Sequence, residues 1–199
     1  MKRTAVATTL CFAALLVGCA TTNFETAGDA PAQPLCQSKG ESLSALVLWG
    51  PVWRPNQKDV RLREEAALQG IEDFAAHARC FEAVTIHRLE GGRVAEIPTN
   101  EQVRALAAAE GKIPDRVLVI TVHELGPVIQ VLGSVAAFGG GTEVVLGLQA
   151  RDPRSGAPIT QLRTHWRNGG SFVIKGTKTL PQDMRSALQA AMAPSLPSP

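Results

Sequence analysis

The segment Arg116–Leu125, RVLVITVHEL, constrains the fold of this chain more than any other stretch. Aliphatic and β-branched residues fill it almost without interruption, which is typical of a buried strand. A second apolar run, LSALVLW at Leu43–Trp49, is stopped by Gly50-Pro51 and also predicts a buried strand. We therefore expect a sheet built around these segments.

Helical patterns lie between and after these strands. Residues 58–80 carry apolar side chains at helical spacing and predict an amphipathic helix of about five turns. Thr99 and Gln102 have the spacing of a capping box, which predicts a second helix over residues 100–110. Thr179 and Gln182 repeat that spacing and predict the start of a last helix.

The remaining segments of the second half are read as strands and turns. VIQVLGSV and TEVVLGLQAR flank Gly139–Gly141, which we interpret as a flexible loop. DPRSG has the proline and glycine positions of a β-turn and leads to a further strand, APITQLRTHWR. This order of elements predicts a single α+β domain with a mixed β-sheet and about three helices packed largely on one face.

The amino terminus has the pattern of an export signal. A basic start, MKR, precedes the apolar stretch Ala5–Val17, which is shorter than the about 20 residues that span a bilayer. The stretch ends in Leu16-Val17-Gly18-Cys19, which resembles the lipobox of bacterial lipoproteins. In that family the signal peptide is cut before the cysteine, whose thiol receives diacylglycerol, and the new amino terminus is acylated, for example with palmitate. A plain signal peptide with a chance cysteine is the alternative.

The resemblance to the lipobox implies an order of segments and a location. Residues 1–18 would be the signal peptide, and several acyl chains on Cys19 would hold the protein at a membrane, since one chain binds only marginally. Ala20 stands where an aspartate tends to retain lipoproteins in the inner membrane, which favours the periplasmic face of the outer membrane. Residues 19–40, rich in Thr, Ala and Pro, predict a lipidated flexible tether. Residues 41–193 then form the domain, and residues 194–199 a disordered tail.

The charge balance argues against a nucleic-acid partner. The leader holds two of the 20 Lys and Arg residues and none of the 18 Asp and Glu residues, so 20 minus 2 leaves 18 of each sign in the mature chain. A neutral domain lacks the basic surface on which nucleic-acid binding depends.

Two cysteines remain once Cys11 leaves with the leader and Cys19 carries lipid. An even pair in an oxidising compartment predicts a disulfide between Cys36 and Cys80. The loop it closes would contribute about 4 kcal/mol in the chain-entropy model. Two buried free thiols are the alternative.

No catalytic, metal or cofactor motif is present. His123-Glu124 suggests a zinc motif, but the position four residues after His123 is Pro127 rather than a second histidine. We interpret His123 as a side chain pointing off a strand. Gly139–Gly141 lacks the Lys-Ser/Thr of a phosphate loop, and no nucleophile elbow occurs. We therefore expect no cofactor, no bound metal and no enzymatic activity.

Two segments are candidates for interaction. Trp49, Trp53 and Arg54 belong to residue types enriched in binding hot spots and form a possible partner contact, with core packing of both tryptophans as the alternative. Residues 128–150 alternate apolar and polar side chains over a length marginal for a membrane hairpin. Half-buried sheet strands show the same alternation, so entry of this segment into a membrane stays open.

Three features resemble a group of periplasmic lipoprotein domains. These are an opening strand followed by a helix, the strand DRVLVITVHEL, and the strand TEVVLGLQARDPRSGAPI with its Asp-x-x-x-Gly turn. The group includes the curli-secretion lipoprotein, the amino-terminal domain of the Tol-system propeller protein and the lipoprotein activators of penicillin-binding proteins. The resemblance covers residues 43–193 and implies a fold and a compartment but no active site, since these families are not enzymes.

The sequence therefore predicts a lipid-anchored, non-catalytic module that binds an envelope protein at the outer membrane. The alternative is a subunit of an oligomeric secretion pore, in which subunits pool hairpins as the curli-secretion lipoprotein does. A distant alternative is an envelope hydrolase whose carboxylates meet only in space. The partner and the oligomeric state are open.

Overall fold

The computed structural model describes residues 20–29, 35, 43–132, 137–171 and 173–193. The elements in chain order are β1 (Thr21–Gly28), β2 (Ser44–Pro51), α1 (Val60–His77), β3 (Ala83–Arg88), α2 (Asn100–Ala109), β4 (Arg116–Leu132), β5 (Ala137–Arg151), β6 (Pro158–Ser171) and α3 (Leu180–Met192). The signal peptide, Cys19, Cys36 and the tail 194–199 lie outside these ranges, and their predictions stay predictions.

One mixed sheet contains all six strands, in the order β1-β6-β5-β4-β2-β3. β2 runs parallel to β3 and β4, whereas the pairs β4-β5, β5-β6 and β6-β1 are antiparallel. β2 lies between two parallel neighbours and is buried from Ala45 to Pro51, which explains its continuous apolar sequence. The predicted α+β class with a mixed sheet and a single domain is confirmed.

The two faces of the sheet are covered unequally. On one face α1 and α3 form the larger core, to which β2 contributes Val47 and Trp49. On the other face α2 packs Val103 and Ala107 against apolar side chains of β2 and β4, with Leu89 beside them. The same face of β5, β6 and β1 carries no helix among the described elements, so a broad polar surface is open to solvent.

The glycine run is part of a strand, and its prediction as a flexible loop is wrong. Gly139–Gly141 lie in β5 and pair with β4 on one side and β6 on the other. A Cβ on Gly141 would lie 2.6 Å from the Cα of Gly169, and one on Gly140 would lie 2.4 Å from the carbonyl oxygen of Val173. Glycine is required here because backbones approach too closely for a side chain.

The segment predicted as a tether contains the edge strand of the sheet. Thr21–Gly28 pair along their whole length with β6, and the hydroxyl of Thr21 donates to the carbonyl of Gly169 at 3.1 Å. This corrects the prediction of a flexible segment for these residues. All eight residues of β1 are exposed, so the backbone ladder rather than an apolar face holds the strand.

Both α2 and α3 start where the two spacings predict them, but only the first capping pair is present. Thr99 accepts from the backbone N–H of Gln102 at 3.3 Å, and the Gln102 side chain accepts from the N–H of Thr99 at 2.8 Å, so the capping box is present. Thr179 caps nothing, because its backbone is already helical and its hydroxyl donates to Asp183 Oδ2 at 2.8 Å. In the described ranges, no helix combines the length and the apolar character needed to cross a membrane.

Candidate functional site: a polar cleft on the uncovered sheet face

A cleft of about 230 Å³ opens on the sheet face that α2 leaves uncovered. We call it the His123 cleft. Its side chains come from three adjacent strands and from the loop before α2: Val119, Thr121 and His123 of β4, Gln149 of β5, Gln161 and Arg163 of β6, and Ile97. Gly147 of β5 also borders it. Residues as far apart in the chain as Ile97 and Arg163 thus meet only through the order of the strands.

Gly147 creates the space for the cleft. It lies in register between Thr121 on β4 and Arg163 on β6. A Cβ at this position would lie 2.5 Å from Thr121 Oγ1 and 3.6 Å from His123 Nε2. Because glycine has no side chain, the space between the flanking strands stays empty and the side chains of Thr121 and His123 border it.

A β-bulge places His123. Val122 pairs with Leu146 and Glu124 pairs with Val145, so His123 is the extra residue of β4 at the bulge. Such an extra residue changes the direction of side chains and often lies beside functional sites. The ring Nε2 of His123 lies 3.4 Å from the hydroxyl of Thr121, at the long end of hydrogen bonding.

Burial and one charged neighbour determine the charge of His123. Burial of the ring lowers the pKa of His123 first, and the positive charge of Arg163 lowers it further. The ring is therefore neutral at pH 7, with one nitrogen able to donate and the other able to accept. Among the ion pairs of the described residues, none involves Arg163.

A buried arginine supports the wall of the cleft. The guanidinium of Arg151 donates to Gln149 Oε1 at 2.7 Å and 3.0 Å, and to the carbonyl oxygens of Pro98 and Gly156 at 3.1 Å and 3.4 Å. Burial lowers the pKa of Arg151, although the group remains a cation at neutral pH. Arg151 thereby fixes the amide of Gln149 and ties the loop carrying Ile97 to the end of β5.

Thr121 and His123 form a polar pair that has no orienting third group among the described residues. A threonine hydroxyl beside a histidine has the composition of a nucleophile and a base, but efficient activation needs a third group that orients the ring. No hydrogen bond from the second nitrogen of His123 to a carboxylate occurs in the part of the chain that the structure describes. Nor do the described residues contain a group of three His, Cys, Asp or Glu side chains able to hold a metal ion.

The tryptophans predicted as a partner contact lie in the core. Trp49 and Trp53 are each 2% exposed and pack with the helices of the larger core, and Trp53 Nε1 donates to Glu64 Oε1 at 3.3 Å. This corrects the predicted contact surface, since neither ring offers area to a partner. Arg54 is exposed at the surface, where its guanidinium pairs with Glu124 at 2.5 Å.

The predicted cysteine pair is described at one end only. Cys80 follows α1 and is 6% exposed. Leu35, the residue before Cys36, is 1% exposed and belongs to the same core cluster as Cys80. The chain therefore lies against this core one residue before Cys36, while the disulfide itself stays a prediction.

Comparisons with known proteins give structural neighbours. No family model matches the chain, and no curated protein matches it. It is similar to the PelC dodecamer from Paraburkholderia phytofirmans, at 14% identity over 90% of this chain and 100% of that chain, with a TM-score of 0.48. It is also similar to the lipoprotein GNA1162 from Neisseria meningitidis, at 15% identity over 76% and 99% of the two chains and a TM-score of 0.35.

A further neighbour is a minor lipoprotein from Acinetobacter baumannii, at 16% identity over 78% of this chain and 96% of that chain, with a TM-score of 0.36. Neighbours of the chain thus include lipoproteins. All three TM-scores lie below 0.5, so we argue the function of this chain from its own residues.

The sequence contained partial signals for the cleft. The strand pattern predicts that His123 points off a strand, and Gly147 interrupts an otherwise alternating strand, which often marks a bulge or a close approach. Neither signal identified Arg163 or Gln149 as their neighbours, because strand order and register are not written in any local pattern.

Proposed function

We propose that this protein is a lipid-anchored, non-catalytic module of the bacterial envelope, attached through Cys19 to the periplasmic face of the outer membrane. The observation that supports the proposal is the start of β1 at Thr21, two residues after the lipobox cysteine. An anchor so close to a paired strand fixes how the domain stands on the membrane, whereas a long tether would leave it free to rotate.

The register of the sheet gives the orientation. Thr21 pairs with Gly169, Gly169 with Gly141, and Gly141 with Val128, so one row crosses four strands at the end nearest Cys19. We call this row the glycine end of the sheet. Beyond it the β4-β5 hairpin continues through the pairs from Ile129–Gly140 to Leu132–Ala137, in the direction of the proposed membrane.

Two exposed isoleucines at the glycine end fit contact with lipid. Ile129 is 79% exposed and pairs with Gly140, one step beyond the row. Ile174 is 94% exposed and follows Val173, whose N–H donates to the carbonyl of Gly170 at 3.4 Å. Burying an isoleucine side chain stabilises an attached state by about 1.5–3 kcal/mol, which supplements the acyl chains.

The same orientation exposes the His123 cleft to the periplasm. Arg163 pairs with Ala27, six residues along β1 from Thr21. At about 3.3 Å per residue, the cleft stands about 20 Å from the glycine end, beyond the headgroups of a bilayer that the glycine end contacts. A component of the periplasm then reaches the cleft without entering the membrane.

The hairpin gives less support to the pore alternative. Thr142–Arg151 pair with both neighbours inside the sheet, and Val144, Leu146 and Leu148 belong to the larger core. Only the part beyond the glycine end is available to a membrane, and its four paired positions per strand are fewer than the about 9–11 residues of a membrane strand. A ring-shaped oligomer in detergent would revive the pore, and a monodisperse monomer would exclude it.

Replacement of the lipobox cysteine tests the proposal. In cells expressing Cys19→Ser we expect the protein to lose its acyl chains and to disappear from the outer-membrane fraction. Cys11→Ser is the matched control, since it changes a leader cysteine outside the lipobox and should leave the protein in the outer-membrane fraction. Mass spectrometry of the wild-type protein should show an acylated amino terminus at Cys19. A free amine there, or retention of Cys19→Ser in the outer-membrane fraction, would contradict the proposal.

A further inference from the structure

The chemistry of the His123 cleft is that of an anion site. Arg163 contributes a guanidinium with no carboxylate partner among the described residues, and no Asp or Glu lines the cleft. Farther along the same sheet face, by contrast, His165 does have a carboxylate partner: its Nε2 lies 2.5 Å from Glu143 Oε1. A positive group without a neutralising neighbour attracts a negative ligand.

The remaining polar groups are suited to complete such a site. The Thr121 hydroxyl, a ring nitrogen of His123 and the amide of Gln161 are hydrogen-bond donors along the cleft. Gln149 has its oxygen bound to Arg151, so its amide nitrogen is the end left for another partner. Donors that converge around a guanidinium favour an oxyanion, whose oxygens accept several short, charge-assisted bonds.

The apolar lining and the size limit the rest of the ligand. Ile97 is 50% exposed at one side of the cleft, and Val119 lies at its base. The volume of about 230 Å³ is below the range of about 300–1,000 Å³ typical of ligand pockets. A small molecule, or a single end group of a larger one, fills it.

We propose that the His123 cleft binds a small oxyanion, a carboxylate or a phosphate, carried on a short aliphatic group. Arg163 forms the charged contact, Thr121 and His123 donate to the oxyanion, and Ile97 contacts the aliphatic part. This inference goes beyond anchoring at the membrane and does not depend on it, because no group of the cleft takes part in lipid attachment.

Four probes with the same four-carbon chain separate the head groups. Butyrate, butyl phosphate, butanol and butylammonium are titrated into the full-length mature protein in detergent micelles, and the ring-proton shifts of His123 are followed by NMR. We expect at least one of the two oxyanions to bind with a Kd on the order of 1 mM, and the alcohol and the cation to bind at least about tenfold more weakly. The tighter of the two oxyanions identifies the head group.

Variants place the binding in the cleft. Arg163→Gln should weaken oxyanion binding at least about tenfold, since it removes a hydrogen bond to a charged group. Arg104→Gln is the matched control: it removes an exposed arginine of α2 that lies outside the cleft, and its affinity should equal that of the wild type. Gly147→Ala adds a methyl group into the cleft and should abolish binding, with its thermal unfolding measured in parallel.

Several results would overturn the inference. Equal binding of butanol or butylammonium, unchanged affinity in Arg163→Gln, or no binding of either oxyanion would each do so. If Gly147→Ala does not fold, the comparison of Arg163→Gln with Arg104→Gln still decides. A negative result in the binding experiment does not change the expected fractionation of Cys19→Ser, so the two proposals are tested independently.

Discussion

Arg63 on α1 and Glu124 on β4 form a largely buried ion pair, with 2.8 Å between Nη1 and Oε1 and side chains that are 12% and 13% exposed. Glu124 also accepts from Gln57 Nε2 at 3.1 Å and from Arg54 Nη2 at 2.5 Å. The carboxylate thus joins the loop before α1 to the residue that follows the β-bulge. It holds the bulge, and with it His123, from the side opposite the cleft.

Removal of this carboxylate charge should destabilise the domain. Glu124→Gln leaves Arg63 largely buried without its counter-ion, and we expect a loss of about 2 kcal/mol in the free energy of unfolding. The measurement is urea denaturation followed by tryptophan fluorescence. The control is Glu65→Gln, which breaks the exposed Arg61–Glu65 pair of α1 and should cost less than about 0.5 kcal/mol. Equal effects of the two substitutions would show that the buried pair has no special role.

Acidification should weaken the folded state through His123. The pKa of this ring is lowered in the folded protein, mainly by burial and further by Arg163, from an ordinary value of 6.5. The unfolded chain therefore binds more protons than the folded one, and stability falls as the pH drops below 6.5 toward the folded pKa. In His123→Gln, the urea midpoint should change less as the pH falls from 6.5 toward the folded pKa of this ring. An unchanged pH dependence in the variant would assign the effect to other groups.

Gly141 should tolerate no side chain, in contrast to Gly176, where a Cβ would meet no other atom within 4 Å. A methyl group at Gly141 meets the carbonyl oxygen of Asn168 at 2.3 Å and Gly169 Cα at 2.6 Å, whereas one at Gly176 meets nothing within 4 Å. We expect Gly141→Ala to cost about 1–3 kcal/mol and Gly176→Ala to be neutral or slightly stabilising. Thermal unfolding by circular dichroism compares the two. Similar melting temperatures would mean that the strands can move apart.

These elements separate what the sequence predicts from what it does not. β2, β4, the first two helices and the capping box at Thr99 follow from local patterns of burial, period and hydrogen bonding, and the structure has them. β1 has no apolar face, so nothing in its own residues predicts that it pairs with β6 rather than forming a tether. Gly139–Gly141 have the composition of a loop, and only the nearby backbone of β6 and of residue 173 explains them.

The candidate site is non-local for the same reason. Thr121, Gly147 and Arg163 become neighbours through one register row across β4, β5 and β6. Each residue alone is an ordinary member of an alternating strand, and a slip of one position in any strand would move its side chain to the opposite face. The cleft is thus a property of strand pairing, which local sequence patterns do not fix.

The last prediction concerns the oxidation state of Cys36 and Cys80. If Cys36 and Cys80 form a disulfide, thiol labelling of the denatured, unreduced mature protein should modify neither residue, and labelling after reduction should modify both. Cys36→Ser should lower the free energy of unfolding by about 2–4 kcal/mol, because the denatured chain gains the freedom of an open loop. Adding Cys80→Ser should then cost only what a serine costs at a position that is 6% exposed. Labelling of both cysteines without reductant would instead show two thiols. In that case the packing of Leu35, which is 1% exposed, would hold this part of the chain against the core.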